Sequence, residues 1–498
     1  MRGASLMSPK SRQALILLAV ALGLGVAADL LSRTLPERPA FASWIVLALA
    51  VGVTLERARV VQVSRTSFAL GAAALLFACA LIGRDAEPLF ALNLLAALAC
   101  IVLAAPRVSP AELGSAGVTD YVRAAVDSAA NSLAGLLPAA AMDVEWHAIG
   151  GGRRTRSLLA AGAGLLAVIP ILVLFGNLFS QADPLFERTM HWVLYLNLDA
   201  IAPHVVTIGV ATWLAAGFLR WAFVRRPYAA PAVSTVGGVG VAAIGTATGA
   251  VALLFLLFVA LQARYLFGGD ALVRGPTVLS YAEYARRGFF ELAWVAGLSL
   301  PLLLLAEWLL DKDDARGVRT FRGLAAVVLM LLGVIVASAL FRMRLYVSAY
   351  GLTEARLYGT AFMLWLVVVF AWFAATVLRG RRPNFAAGAL GAGLASIVIL
   401  NLLNPDAVIA RSNLARAGGP APFDAAYVAG LSADALPVVF AALPALPAGD
   451  QCVLRRGLHE RWKGRRAGAD WTLARVRARD ELAEARHPPS AACPAPAP

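Results

Sequence analysis

Eleven apolar stretches of membrane-spanning length, separated by short basic loops, constrain this chain more than any other feature. About 20 apolar residues in a helix cross the hydrocarbon core of a bilayer. A backbone in hydrocarbon must satisfy its own hydrogen bonds, so each stretch is predicted to be helical. The predicted fold class is therefore all-α, a polytopic transmembrane helical bundle with a small soluble C-terminal helical tail. The predicted spans are Ala14–Leu31, Phe41–Leu55, Ser67–Ile82, Leu89–Ala105, Leu158–Leu178, His204–Phe218, Ile244–Leu261, Phe289–Leu310, Leu324–Phe341, Thr360–Leu378 and Phe385–Leu403.

The composition agrees with a membrane protein. The chain is 60% hydrophobic and 15% charged, whereas a soluble domain has about 25% charged residues. Its net charge of +14 is explained by basic residues beside cytoplasmic headgroups, so membrane lipids are the expected partners. No basic-aromatic module of a nucleic-acid-binding type is present, so no nucleic-acid partner is predicted.

The spans divide the chain into five segments. Residues 1–105 form N-terminal transmembrane helices, and residues 106–157 form a cytoplasmic loop with an amphipathic helix. Residues 158–403 form the main transmembrane bundle, and residues 404–487 form a soluble helical tail. Residues 488–498 are rich in Pro and Ala and are predicted to be disordered.

The loop charges predict the orientation of the bundle. With the N-terminus in the cytoplasm, the cytoplasmic segments hold 21 Lys and Arg residues and the external loops hold 11. The tail after Leu403 holds the other 12 and would be external, which opposes this orientation only weakly because long translocated segments obey the charge rule poorly. The first span also has features of a secretory signal, and whether it is cleaved stays open. The predicted location is the cytoplasmic membrane, with the N-terminus inside and the C-terminus outside.

The loop at residues 106–157 contains the one amphipathic pattern outside the spans. Ser109, Pro110 and Glu112 fit a capping box with proline at the first helical position. Apolar residues then recur at helical spacing from Val118 to Leu133. This pattern favours a helix on the cytoplasmic membrane surface. A docking helix for a cytoplasmic partner is the alternative.

The tail has several helix starts and two of the four cysteines. Cys452 and Cys493 would be able to pair if the tail is external, and this pairing stays open. There is no CxxC pair and no Cys/His cluster, so no metal and no cofactor are predicted. The predicted helix N-caps in the tail are Asn404, Asp424, Ser432, Asp450 and Asp470.

Three segments beside the spans carry the candidate functional residues. They are YAEYARRG at residues 281–288, FRMRLYVSAYGLTEARLY at residues 341–358 and NPDAVIARSNLAR at residues 404–416. Each follows an odd-numbered span, so span parity places all three on one face. A belt of aromatic residues and arginines at headgroup depth explains them without a specific function. The functional alternative is a site for an anion, because the arginine fork suits bidentate contact with phosphate or carboxylate. The candidate ligand-binding residues are Arg286, Arg287, Glu291, Arg342, Arg344, Tyr346, Tyr350, Glu354 and Arg356.

Three hypotheses for the function follow. The first is a non-enzymatic protein that binds or transports an anionic solute or lipid headgroup at its outer face. The second is a membrane enzyme acting on a lipid-linked substrate, with Glu291 or Glu283 as the general base. Arg287 lies four residues before Glu291, so a helical ion pair also explains that glutamate. The third is a sensor or assembly factor that works through its tail. No catalytic motif is present, so the catalytic residues are unknown and the first hypothesis is preferred.

Several segments also resemble a known family. The matching text is YAEYARRGFFEL, RMRLYVSAYGLTEARLY, NPDAVIARSNLAR and YVAGLSADALPVVFAALPAL, in this order over about the last 330 residues. On these segments the chain resembles a bacterial multi-pass membrane family catalogued as domain of unknown function 4173. The usual Trp-rich run of that family is reduced here to TLARVRARDEL. The resemblance implies a multi-pass bundle and no particular activity.

Overall fold

The computed structural model describes residues 8–58, 60, 64–106, 116–145, 175, 179, 198–224, 241–267, 289–310, 314–419, 423–464 and 471–487. The regular elements in these ranges are helices, which confirms the all-α class. The helices up to residue 403 are α1 (Pro9–Thr34), α2 (Glu37–Arg57), α3 (Arg65–Gly83), α4 (Glu87–Ala104), α5 (Val118–Ala134), α6 (Leu136–Met142), α7 (Leu198–Leu219), α8 (Val241–Phe267), α9 (Phe289–Leu309), α10 (Ala315–Tyr350), α11 (Glu354–Thr376) and α12 (Phe385–Leu403). The tail contains α13 (Pro405–Leu414), α14 (Ala425–Ala429), α15 (Leu436–Ala442), α16 (Ala448–Trp462), α17 (Leu473–Arg477) and α18 (Arg479–Arg486).

Ten helices in the described ranges are long and apolar enough to cross a membrane, namely α1–α4 and α7–α12. The chain is therefore an integral membrane protein with many spans. Ten of the eleven predicted spans coincide with these helices. The other, Leu158–Leu178, lies outside the described residues apart from Phe175.

The longest helix, α10, extends well past its apolar run. Its 36 residues make a rod about 54 Å long at about 1.5 Å per residue, against a hydrocarbon core of about 30 Å. The Asp314 side chain caps its start by accepting the backbone N–H of Arg316 at 2.9 Å. The polar end from Arg342 to Tyr350 lies beyond the predicted span and carries several candidate residues.

The helices connect two opposite faces of the bundle, and α1 and α7 run antiparallel between them. At one end, Ser8 donates its N–H to Glu145 at 3.3 Å; we call this end the N-terminal face. At the other end of the same two helices, His204 contacts Asp29 at 2.6 Å; the soluble tail packs at this end, which we call the tail face. The predicted span Leu158–Leu178 falls between Glu145 and His204 in the chain.

The amphipathic helix is present as α5, and its C-terminal end enters the edge of the bundle. Trp213 donates its indole N–H to the Leu133 carbonyl oxygen at 2.7 Å. The backbones of Gly135 and Gly217 also approach so closely that neither position has room for a Cβ atom. Gly217 lies seven residues before Val224, where α7 and its terminal π-helical turn end, so this contact is about 10 Å inside the bundle. The predicted capping box at Ser109 lies outside the described residues.

Side-chain caps begin several of the tail helices. Asn404 begins α13 in the left-handed conformation, with φ 54°, and accepts the Ala407 N–H at 3.4 Å. Asp424 and Ser432 also cap helices as predicted. The prediction for Asp450 was wrong, because α16 begins at Ala448 and Asp450 lies within its first turn. The predicted cap Asp470 lies outside the described residues.

The tail has its own apolar core and is fixed to the bundle. Val439, Leu454, Leu458 and Trp462 are almost completely buried in this core. Cys452 is disulfide-bonded, and its predicted partner Cys493 is outside the described part of the chain. Cys79 and Cys100 are free. The tail is therefore a packed unit rather than a hanging extension.

Candidate functional site

A network of charged residues lies where the tail meets the turn between α3 and α4. Arg84 and Asp85 form this turn, and Asp434 lies opposite them in a 3-10 turn of the tail. The Asp434 carboxylate accepts the backbone N–H groups of Asp85 at 2.5 Å and Ala86 at 3.3 Å. Ala86 is the N-cap residue of α4. Asp434 therefore caps a membrane helix from another part of the chain, and its negative charge suits that helix end.

The tail receives the same kind of cap in return. The Asp85 carboxylate accepts the Ala433 N–H at 3.0 Å, and Ala433 begins the 3-10 turn. Two arginines complete the arrangement: Arg84 pairs with Asp434 at 3.3 Å, and Arg475 pairs with Asp85 at 2.8 Å. We call these residues the latch: Arg84, Asp85, Asp434 and Arg475.

Burial determines the electrostatics of the latch. The side chains of Asp85 and Asp434 are 3% and 2% exposed. Burial raises the pKa of Asp434 above its ordinary value, although the Asp85 N–H and the Arg84 guanidinium oppose this shift. Because removing one partner from a buried pair leaves an uncompensated charge, the latch is a strong connection only when complete.

Two membrane helices, α4 and α12, contact each other and the latch through polar side chains. Arg84 donates to the Asn401 carbonyl oxygen near the end of α12, at 2.6 Å from Nη2. The Asn401 amide and the Asn93 amide of α4 exchange hydrogen bonds of 2.8 and 3.1 Å. The Asn93 side chain is fully buried, so this pair satisfies polar groups that hydrocarbon would not.

A second tail contact closes the end of α10. Arg416 donates to the carbonyl oxygens of Ser348 and Ala349 at 2.8 and 2.9 Å. These carbonyls belong to the last turn of the helix, where a cation is favourable. Gly351 then takes φ 81°, and Asn413 binds both the N–H and the carbonyl of Leu352. The segments 341–358 and 404–416 thus meet on the tail face, and the segment 281–288 lies outside the described residues.

The predicted anion-binding residues of α10 share a stripe. Arg342, Tyr346 and Tyr350 are four residues apart and lie on one side of the helix. The two tyrosine rings are in edge contact with centroids 5.3 Å apart. The Arg356 guanidinium lies 3.9 Å from the Tyr346 ring centroid and donates to the Gly351 carbonyl oxygen. We call Arg342, Tyr346, Tyr350 and Arg356 the arginine–tyrosine patch.

Four other predicted residues lie elsewhere or outside the described part. Arg344 is exposed and two residues from both Arg342 and Tyr346, so it lies about 200° around the helix from each of them. Glu291 is exposed in the first turn of α9. Arg286 and Arg287 are not among the described residues, so the possible ion pair with Glu291 stays a prediction.

Glu354 belongs to a different cluster, which includes residues that the sequence did not single out. Its carboxyl group lies within hydrogen-bond reach of Asp406 and close to the charge of Arg461. Its backbone N–H donates to the Tyr427 hydroxyl at 2.8 Å, and burial raises the pKa of Tyr427 to about 12. The Tyr358 hydroxyl is also close to Asp406 and Glu354. We call Glu354, Asp406 and Tyr358 the carboxyl cluster.

Only weak features of the sequence indicate the latch and the carboxyl cluster. Asp406 follows the capping asparagine of α13, and Asp434 follows the capping serine of the 3-10 turn. Acidic residues in such positions are ordinary first-turn residues, so their long-range partners could not be identified. Across the described ranges, no group of three or more His, Cys, Asp or Glu residues is arranged to hold a metal ion.

One comparison with known proteins identifies a family. The family model described as Domain of unknown function (DUF4153) matches residues 71–441, a range that contains Arg84, Asp85, Glu354, Asp406 and Asp434. No curated protein and no solved structure matches the chain. The matching family is uncharacterised, and the more specific resemblance to domain of unknown function 4173 is not what this match shows.

Proposed function

We propose that this chain, which belongs to the family described as Domain of unknown function (DUF4153), binds an anionic headgroup or solute through the arginine–tyrosine patch. The stacking of Arg356 on Tyr346, 3.9 Å from the ring centroid, carries this proposal. Stacking fixes the plane of the guanidinium and leaves its edge available for bidentate contact with phosphate or carboxylate. In the described part of the structure, one of the five N–H donors of Arg356 donates to the Gly351 carbonyl oxygen.

The position of the patch favours a ligand at the membrane boundary. The patch begins one residue after the predicted end of the span at Phe341, where headgroups meet water. Tyr350 is 48% exposed, so the patch is open at that end. Arginine and tyrosine at this depth interact well with anionic headgroups.

The test measures how lipids stabilise the purified full chain in a neutral detergent. We expect added anionic phospholipid to raise the midpoint of thermal unfolding more than zwitterionic phospholipid does. The variant with both Arg342→Gln and Arg356→Gln should lose this difference. Inorganic phosphate, tested separately, distinguishes a soluble anion from a lipid headgroup.

Arg344→Gln is the control for the charge lost at Arg342, because both arginines lie on α10, two residues apart. We expect it to keep the response to anionic lipid. Equal loss in the control and in the double variant would show a general charge effect and overturn the proposed site. Loss of baseline stability alone would be attributed to the Gly351 contact of Arg356 and would not count as support.

We also infer that the tail face is external and that the membrane is a bacterial cytoplasmic membrane. The count of basic residues in the loops supports an internal N-terminus. The disulfide at Cys452 supports an oxidising compartment for the tail. Reporter fusions after Pro498 test this directly: activity of an external-only reporter is expected, and activity of an internal-only reporter would reverse the orientation.

A further inference from the structure

A buried pair of carboxyl groups lies apart from the arginine–tyrosine patch and has no role in it. Asp406 is 0% exposed and lies in the first turn of α13. One of its oxygens, Oδ2, accepts the Ser432 N–H at 3.1 Å. The other, Oδ1, is buried and has no hydrogen-bond partner in the described part of the chain, although the Glu354 carboxyl group lies close enough to Asp406 for their charges to interact. Two ionised carboxylates supply acceptors only, so this contact lacks a donor.

The Tyr358 hydroxyl adds a second unsatisfied oxygen at the same place. Its oxygen atom is buried and, among the residues that the structure describes, has no hydrogen-bond partner; it is close enough to Asp406 and Glu354 to interact with both charges. Tyr358 is one helical turn after Glu354 on α11, so the two side chains share a side of the helix. Buried polar atoms are almost always satisfied, and an unplaced water or ion is a common reason when they are not.

The surrounding charges indicate what fits between these oxygens. The groups that face the pair are Arg461 from α16, Tyr427 from α14 and Asp434 from the 3-10 turn. Arg356 is also nearby, but its charge acts on the Tyr427 hydroxyl, and its guanidinium is held by the Gly351 carbonyl oxygen and the Tyr346 ring. Asp434 is already paired with Arg84. Glu354 and Asp406 together carry two negative charges, and Arg461 offsets one of them. One further positive charge would balance the cluster.

We propose that Glu354, Asp406 and Tyr358 form a binding site for one monovalent cation, either a proton or a sodium ion. A proton would be shared between the two carboxyl groups and would supply the missing donor. A sodium ion would take oxygen ligands from the same three side chains. Glu354 is only half-buried, so it provides the side from which the cation exchanges with solvent. This inference does not rest on the proposed anion site.

The site would couple the cation to the packing of the tail. Glu354 begins α11, Asp406 lies in α13 and the Asp406 carboxylate holds Ser432 of the tail. When the cation leaves, two buried like charges repel each other across the contact between these elements. Cation binding should therefore stabilise the docked tail.

The experiment uses the purified full chain in detergent, with sodium chloride compared with choline chloride at equal ionic strength. A sodium site predicts that sodium raises the midpoint of thermal unfolding by at least about 2 °C. A proton site predicts no sodium effect and an infrared band of a protonated carboxyl group at pH 7. Either result supports the site, and the pair of measurements identifies the cation.

The variants locate the effect. Glu354→Gln keeps the shape and supplies an amide donor, so it should abolish the sodium response or the carboxyl band while keeping the tail docked. Tyr358→Phe should weaken a sodium response and leave a carboxyl band in place. Glu37→Gln is the control, because that exposed glutamate also lies in the first turn of a membrane helix, α2. A wild-type protein with neither response, or a Glu354→Gln protein that keeps the wild-type response, would overturn the proposal.

Discussion

Replacing Asp434 with alanine tests whether the latch holds the tail to the membrane bundle. The substitution removes the Arg84 ion pair at 3.3 Å and the acceptor for the N–H groups of Asp85 and Ala86. Breaking a buried pair by removing one partner costs about 3–5 kcal/mol. Burial raises the pKa of Asp434, so the cost of burying its charge offsets part of the pairing energy. We therefore take about 3 kcal/mol, the lower end of that range. About 3 kcal/mol corresponds to roughly a 100-fold change in the docking equilibrium.

Hydrogen exchange of the intact protein in detergent measures this change at the amides themselves. The amides of Asp85 and Ala86 should exchange roughly 100-fold faster in Asp434→Ala, since local opening sets their rate. Asp480→Ala is the control, because Asp480 is an exposed aspartate in the first turn of α18 and its helix-end effect is below about 1 kcal/mol. Equal exchange in the two variants would refute the assignment of docking energy to the latch.

Three further predictions concern two glycines and one half-buried tyrosine. Gly351→Ala should lower the midpoint of thermal unfolding, because φ is 81° and a Cβ would lie 2.5 Å from a side-chain oxygen; Gly333→Ala in the same helix meets nothing within 4 Å and should not. Gly217→Ala should loosen α5 from α7 and raise its susceptibility to proteases, whereas Gly245→Ala has open space and should leave it protected. The pKa of Tyr427 is raised to about 12, so its contribution to stability is present below pH about 10 and is lost as pH rises through about 12. Tyr427→Phe should reduce this alkaline loss in a thermal-unfolding series, and an unchanged pH profile would contradict the assignment.

The spans could be predicted because each depends on a local apolar run of sufficient length. The same argument could not place Asp434 beside Asp85, because 349 positions separate them. In its local sequence, each residue has only the features of an ordinary acidic residue near a helix start. Asp450 shows the limit within a single helix. Caps and first-turn acids are both favoured by the helix dipole, so one acidic residue does not distinguish the two positions.

Only some of the candidate ligand-binding residues predicted from the sequence lie together in the arginine–tyrosine patch. Composition grouped Arg342 with Arg344, but helical periodicity places them on different sides of α10. The sequence analysis grouped Glu354 with the arginines as a candidate ligand-binding residue, whereas its carboxyl group lies close to Asp406. This contact joins the first turns of α11 and α13. Helical periodicity within either helix does not predict it.

The separation of the two halves of the latch also sets an order of events during synthesis. At about 5–20 residues per second, Asp434 leaves the ribosome roughly 20–70 s after Asp85. During that interval the turn between α3 and α4 has no cap for its N–H groups and no partner from the tail. The latch therefore closes only after synthesis has passed Arg475. A chain truncated before Asp434 would keep that turn open, and its exposed backbone would distinguish it, for a protease at the membrane surface, from a chain in which the latch has closed.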